Sequence, residues 1–178
     1  MTYTVTINIA GAGTPTTTGP SFAGHMWYSL DNGSGTAVSY GFAPVDGATG
    51  IDRAFGDGDV HTNDSSTYTA DPAHPITTVT LELTQAQYDA MKTFGDTAGA
   101  LPDWQTYNGL WNSCVDFVWA ALGTIGLNPT GTRYNKKTVT VITDSGQQWN
   151  VAPSFLRKTD AAFTTTAIST SILNLTKR

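Results

Sequence analysis

Cys114 is the only cysteine among 178 residues, and it stands where a polar turn gives way to an apolar run, Asn112-Ser113-Cys114-Val115-Asp116-Phe117-Val118-Trp119-Ala120-Ala121-Leu122. Val115, Val118, Trp119 and Leu122 share one face at helical spacing, so the run reads as a helix that begins at the thiol. A thiol at a helix N-terminus feels the positive end of the macrodipole, which favours thiolate. The same unpaired N–H groups can receive an oxyanion once that thiolate attacks a carbonyl. The competing use of a lone cysteine is as a small buried hydrophobe. Ser113 has the position of an N-cap and Asp116 that of N3, where a carboxylate complements the helix end.

A cysteine nucleophile needs a base, and the base needs a group that orients it. His74 lies in the turn Ala73-His74-Pro75, and His61 lies in an Asp-rich loop. His25 follows Gly24 at the start of a predicted central strand, which makes it the candidate base. The runs His25–Leu30 and Thr36–Phe42 flank Asp31-Asn32-Gly33-Ser34-Gly35 and predict a β-hairpin. Centred on Asn32–Ser34, that hairpin puts Ser39 opposite Trp27 and diagonal to His25, so Ser39 is the candidate orienter. A slip of one residue would bring Tyr40 or Gly41 there instead.

The elements that must hold these groups follow from periodicity. Residues 3–9 alternate through Val5, Ile7 and Ile9 and read as a strand, and 77–83 read as another. Thr84-Gln85-Ala86-Gln87 has the form of a capping box, opening a helix from 85 to about 94 that ends near Gly95. Residues 43–75 lack periodicity and read as one long binding loop or lid, with the cluster Asp57-Gly58-Asp59, Asn63 and Asp64 a solvated turn rather than a calcium site, since it lacks EF-hand spacing and the terminal Glu. Residues 101–110 read as a loop carrying Trp104 and Tyr107. The Cys114 helix should reach 123–126. Strand 138–142, a turn at 144–146 and a return at 148–151 follow, then a short helix over 154–163 and a Thr/Ser-rich tail. Neither a repeat nor a linker divides the chain, so 1–178 reads as a single domain.

Composition narrows the function classes. Charged residues make up 13% of the chain and the net charge is −5 without a basic cluster, which argues against nucleic acid and anionic membrane surfaces. The N-terminus alternates like a strand and has neither a basic region nor an apolar core of the kind a signal peptide needs. No run approaches 20 apolar residues, so no integral membrane segment is expected. Nothing in the pattern calls for a metal or a cofactor.

Gly24-His25-Met26-Trp27-Tyr28-Ser29-Leu30, Tyr40-Gly41-Phe42-Ala43-Pro44, Leu83-Thr84-Gln85-Ala86-Gln87-Tyr88 and Tyr107 to Asn112-Ser113-Cys114-Val115-Asp116-Phe117 together resemble a circularly permuted NlpC/P60, papain-like cysteine hydrolase. The permuted branch, which includes lecithin:retinol acyltransferase-like proteins, places the histidine strand before the cysteine helix, as here. The likeness spans about residues 24–122 and is nearest to small bacterial secretion-system effectors, including those of type VI systems. It implies an α+β fold in which an antiparallel sheet packs against the cysteine helix. It further implies Cys114 as nucleophile, His25 as general base and a third polar group on the second hairpin strand, where Ser39 departs from the usual His, Asn or Gln. Ser113 also stands where relatives often have Asn, with Asn112 shifted by one. Trp27, Tyr107 and Trp111 are the expected substrate-binding residues.

The implied activity is that of a cysteine amidase or peptidase acting on peptidoglycan stem peptides as an antibacterial toxin, with an immunity protein as a possible partner. Absence of a signal peptide fits either delivery into a target cell's periplasm by a secretion machine or a cytoplasmic enzyme. Two alternatives stay open at this point. The same site can serve a thiol acyltransferase or an amidase of lipid or protein glutamine, which a wide apolar cleft lined by Trp27, Trp104 and Trp111 would favour. The chain can also be a non-catalytic binding or structural module.

Overall fold

A computed structural model describes residues 2–109 and 112–126, together with the backbone of three short strands between 132 and 149. The chain is α+β. Its main sheet has six strands: β1 (Tyr3–Ala10), β4 (His25–Asp31), β5 (Val38–Pro44), β6 (Phe55–His61), β7 (Thr77–Leu83) and β8 (Thr106–Asn108). Their order is β7-β1-β4-β5-β6-β8, and every neighbouring pair is antiparallel. A small ribbon, β2 (Pro15–Thr16) with β3 (Gly19–Pro20), stands apart from it.

Alternation decides the two faces. Val5, Ile7 and Ile9 lie across from Leu30, Tyr28 and Met26, and Tyr28 lies across from Tyr40. With Phe42 these side chains build the core, onto which α2 (Gln85–Ala98) and α3 (Cys114–Gly123) pack. All nine residues Cys114–Leu122 are buried. A helix apolar on every side must be covered on every side. The main sheet covers one side, and the backbone of β9 (Thr132–Asn135) and β10 (Thr138–Ile142) runs along α3 elsewhere. The return strand expected after 146 pairs with β10 as β11 (Gln148–Trp149). The short helix expected over 154–163 and the tail beyond it lie outside the described residues.

Three expectations need correction. The stretch 43–75 is not one irregular loop: it holds the end of β5, a 3-10 turn at Gly50–Arg53, the strand β6 and the single-turn helix α1 (Asp64–Thr67). Asp57 and Asp59 are therefore exposed strand residues rather than parts of a turn, and the low hydrophobicity of this strand hid it. The second correction concerns α2, which runs through Gly95 to Ala98. Gly95 does not end the helix; it admits Tyr28 and Tyr40, since a β-carbon there would lie 2.5 Å from the Tyr40 ring. The third is the hairpin register, with Ser39 opposite Ser29 and Gly41 opposite Trp27. The connection from Asn32 to Ala37 is longer than a tight Asn-Gly turn, with Gly33 and Gly35 both at positive φ, and this moves the pairing by two residues.

Candidate active site

The α3 N-terminus forms as its sequence predicts. Asp116 Oδ2 accepts hydrogen bonds from the Ser113 main-chain N–H at 2.7 Å and from Ser113 Oγ at 3.0 Å. Asp116 is thus spent on closing the helix end and sits 2% exposed beneath it. One residue earlier, Asn112 ties the approach to the helix: its amide donates to the carbonyls of Asp103 and Thr106, and its main chain exchanges both bonds with Asn108. This brace holds Tyr107 against Cys114. The charge and side chain of Cys114 oppose ionisation of the Tyr107 phenol, while the Cys114 main chain favours it. Burial nevertheless dominates and pushes the Tyr107 hydroxyl well above its ordinary range.

His25 begins β4 and stands close enough to the Cys114 side chain for the thiol to favour its protonated form. Its Nε2 faces Asp64 Oδ1 at 3.2 Å, with both side chains almost wholly buried. That separation is an ion-pair distance, although the carboxylate lies off the line a ring N–H hydrogen bond requires. Burial disfavours the imidazolium, but the charge of Asp64, then that of Tyr68, and the closeness of the Asp64 and Cys114 side chains outweigh it. His25 is therefore held well above its usual value. The group beside the histidine is Asp64, from the part of the chain that shows no periodicity.

Ser39 has a different role from the one expected. Its hydroxyl donates to the Thr62 carbonyl at 3.1 Å and accepts the Ser65 N–H at 3.4 Å. Trp27 Nε1 donates to Ser65 Oγ at 3.1 Å, and Ser65 Oγ also meets Ser29 Oγ at 3.0 Å. Ser39, Ser29 and Trp27 thus pin the α1 turn to the sheet and so position Asp64. Trp27 is 2% exposed, which makes it a support of the site rather than a wall open to substrate. Tyr68, just past α1, stacks on both His25 and Trp27, with ring centroids 5.0 and 5.1 Å away.

Gly41 makes room for the pair. It lies opposite Trp27 on one side and His61 on the other. A β-carbon on Gly41 would stand 2.7 Å from His25 Nε2 and would overlap the Asp64 carboxylate. Asp64 and Tyr68 take part in this arrangement unexpectedly, Asp64 being 4% exposed rather than in a solvated turn, and Gly41 does so in a role other than the slipped-register partner. Of these only Gly41 carried a signal, as a glycine within a strand marks close approach of another group.

A cavity of about 330 Å³ opens over this arrangement. His25, Asp64, Tyr68 and Tyr107 line its inner wall, while residues 16–24 and 43–48 form much of the rim. Cys114 lies behind the wall at 1% exposure. His61, on β6, also lines the cavity. His74 is engaged elsewhere, with Nδ1 3.0 Å from Asp71 Oδ1. Trp104 is buried edge-on against Phe42 and Phe117, and Trp111 lies outside the described residues. The expected substrate-binding set therefore reduces to Tyr107 among the described residues. Among them, too, no helix is long and apolar enough to cross a membrane.

The site thus has a thiol at a helix N-terminus, an imidazole near it, a buried carboxylate beside the imidazole and a polar cavity in front. Comparison with protein-family models, curated proteins and solved structures finds no match to this chain.

Proposed function

We propose that this protein is a cysteine hydrolase that cleaves amide bonds through Cys114, His25 and Asp64. The observation that carries the proposal is the Cys114–His25–Asp64 series at the N-terminus of α3. His25 takes the proton of the Cys114 thiol, and Asp64 offsets the charge of the resulting imidazolium. With Nε2 turned to Asp64, the other ring nitrogen, Nδ1, serves the thiol. The sulfur attacks an amide carbonyl, whose oxygen is received by the Cys114 N–H at the helix end as it gains charge. The imidazolium returns its proton to the leaving amine, and water activated by the same imidazole hydrolyses the thioester.

The antiparallel sheet, the histidine strand preceding the cysteine helix and the helix-end thiol support a permuted papain-like reading. Peptidoglycan stem peptide is the proposed substrate and antibacterial effector the proposed role. The cavity is lined by Thr, Ser, Asp, His and Arg side chains, and Trp27 and Trp104 are buried away from it, which favours a peptide over a lipid acyl chain. Wild-type protein should release muropeptide fragments from purified sacculi, and Cys114→Ala, His25→Ala and Asp64→Asn should each reduce release by at least about a hundredfold. Undiminished release by Cys114→Ala would overturn the mechanism.

One observation favours a non-catalytic module instead: Cys114 is 1% exposed. Iodoacetamide separates the two readings. An active thiol beside His25 should be alkylated at pH 6 about tenfold faster than a cysteine in an unfolded peptide. A rate no faster than the peptide's would favour the module.

A further inference from the structure

Among the described residues that line the cavity, Arg53 is the only lysine or arginine, and no mechanistic step uses it. Arg53 ends the 3-10 turn Gly50–Arg53 and lines the same cavity as His25 and Asp64. Its guanidinium carbon stands 5.9 Å from the centroid of the Phe22 ring, within cation–π range. Phe22 is itself 73% exposed, the most exposed large hydrophobic side chain among the described residues. Among those residues Arg53 has no ion-pair or hydrogen-bond partner, whereas Lys92 is tied to Asp96 at 2.6 Å.

The segment bearing Arg53 is firmly seated. Gly56 lies so close to it that a β-carbon there would stand 2.9 Å from the Asp52 carbonyl oxygen. The Ala54 carbonyl accepts the Gly109 N–H at 2.8 Å, joining the turn to the stretch that carries Tyr107. Arg53 is itself exposed, and lying over a ring spends none of a guanidinium's five N–H donors, so its fork is open to a bidentate acceptor. The other charged groups on the wall are the acids Asp46 and Asp64 with the ring of His25, and His61 adds a second imidazole. An anionic substrate would be repelled by the two carboxylates unless a cation received it.

We propose that Arg53 and Phe22 form a carboxylate-binding subsite, so that the protein selects acidic peptides with a free carboxylate held in the same cavity as the bond cleaved. The location of that bond rests on the hydrolase reading above; the subsite itself does not. The guanidinium fork binds the carboxylate, and Phe22 supplies the apolar shoulder beside it.

The test uses Cys114→Ala protein, so that binding is read without turnover. Two probes are titrated calorimetrically: a stem tetrapeptide from digested sacculi as its free acid, and the same peptide with its carboxylates converted to amides. The acid should bind at least about tenfold more tightly than the amide. Adding Arg53→Gln should bring the acid down to the affinity of the amide, while Arg53→Lys, a point charge without the fork, should recover only part of the difference. Equal affinity of acid and amide, persistence of the preference in Arg53→Gln, or failure of both peptides to bind would each overturn the subsite. Alkylation of wild-type Cys114 by uncharged iodoacetamide tests the hydrolase reading separately. A thiol no faster than a free peptide's, alongside an acid preference that depends on Arg53, would end that reading and leave the subsite standing.

Discussion

Gly41 contributes through having no side chain. It lets Asp64 and His25 meet over bare backbone, so Gly41→Ala should remove chemistry as well as stability. The expected cost is about 1–3 kcal/mol in urea unfolding, as for other overpacked sites. The cleaner readout is loss of rapid Cys114 alkylation in protein that still folds. Asp64→Asn and Ser39→Ala separate orienter from support. With Asp64 neutralised, burial is the main influence left on His25, and its NMR titration should fall below the wild-type value. Ser39→Ala should leave that titration near wild type. It should cost about 1 kcal/mol, because the Thr62 carbonyl and the Ser65 N–H each lose a partner. A His25 titration that moved with Ser39 and not with Asp64 would return Ser39 to the role of orienter.

The elements differ in how far the sequence betrays them. The first strand, Thr77–Leu83, the Thr84 cap and the Cys114 helix were legible because alternation, helical spacing and Ser/Thr-x-x-Asp/Gln caps are local signals. Strand β6 was not, since Gly56, Asp57, Gly58 and Asp59 are poor strand formers held by pairing to β5 and β8. Asp64 was hidden for the same reason, because its place beside His25 depends on β6 bringing the chain back across Gly41. Cys114 and His25 could be chosen from type and position, but the third member could not, as it depends on a register two residues from the one expected. The cap offers a prediction of its own. Asp116→Ala should lower stability by about 1–2 kcal/mol in urea unfolding, yet leave the Cys114 alkylation rate of the folded protein within a few-fold of wild type. A collapse of that rate at unchanged stability would make Asp116 part of the chemistry.

Across the whole molecule, the buried pair links folding to pH. Folding raises the pKa of His25, so the native state holds that proton more tightly than the unfolded chain does. The stabilisation is complete below the unfolded value of about 6.5 and is lost as pH rises through the raised native value. Within that window His25 should make stability fall with pH, by at most about 1.4 kcal/mol per unit. Urea unfolding of wild type and His25→Gln from pH 6 to 9 checks this, because the variant should lack that part of the slope. Parallel curves would show that folding does not raise the pKa of His25.

The ribbon of β2 and β3 is joined to the Asp64 segment through the main chain: Thr17 N–H donates to Thr67 O at 3.1 Å, and Thr69 N–H donates to Pro15 O at 3.0 Å. The side chains of Thr17 and Thr18, by contrast, line the cavity. Backbone bonds are indifferent to the side chains they carry. With Thr16 and Gly19 keeping the turn, positions 17 and 18 can therefore change, as an antibody loop does on its framework, without disturbing the carboxylate behind them. The fold separates a part free to evolve new preferences from a part that must stay fixed.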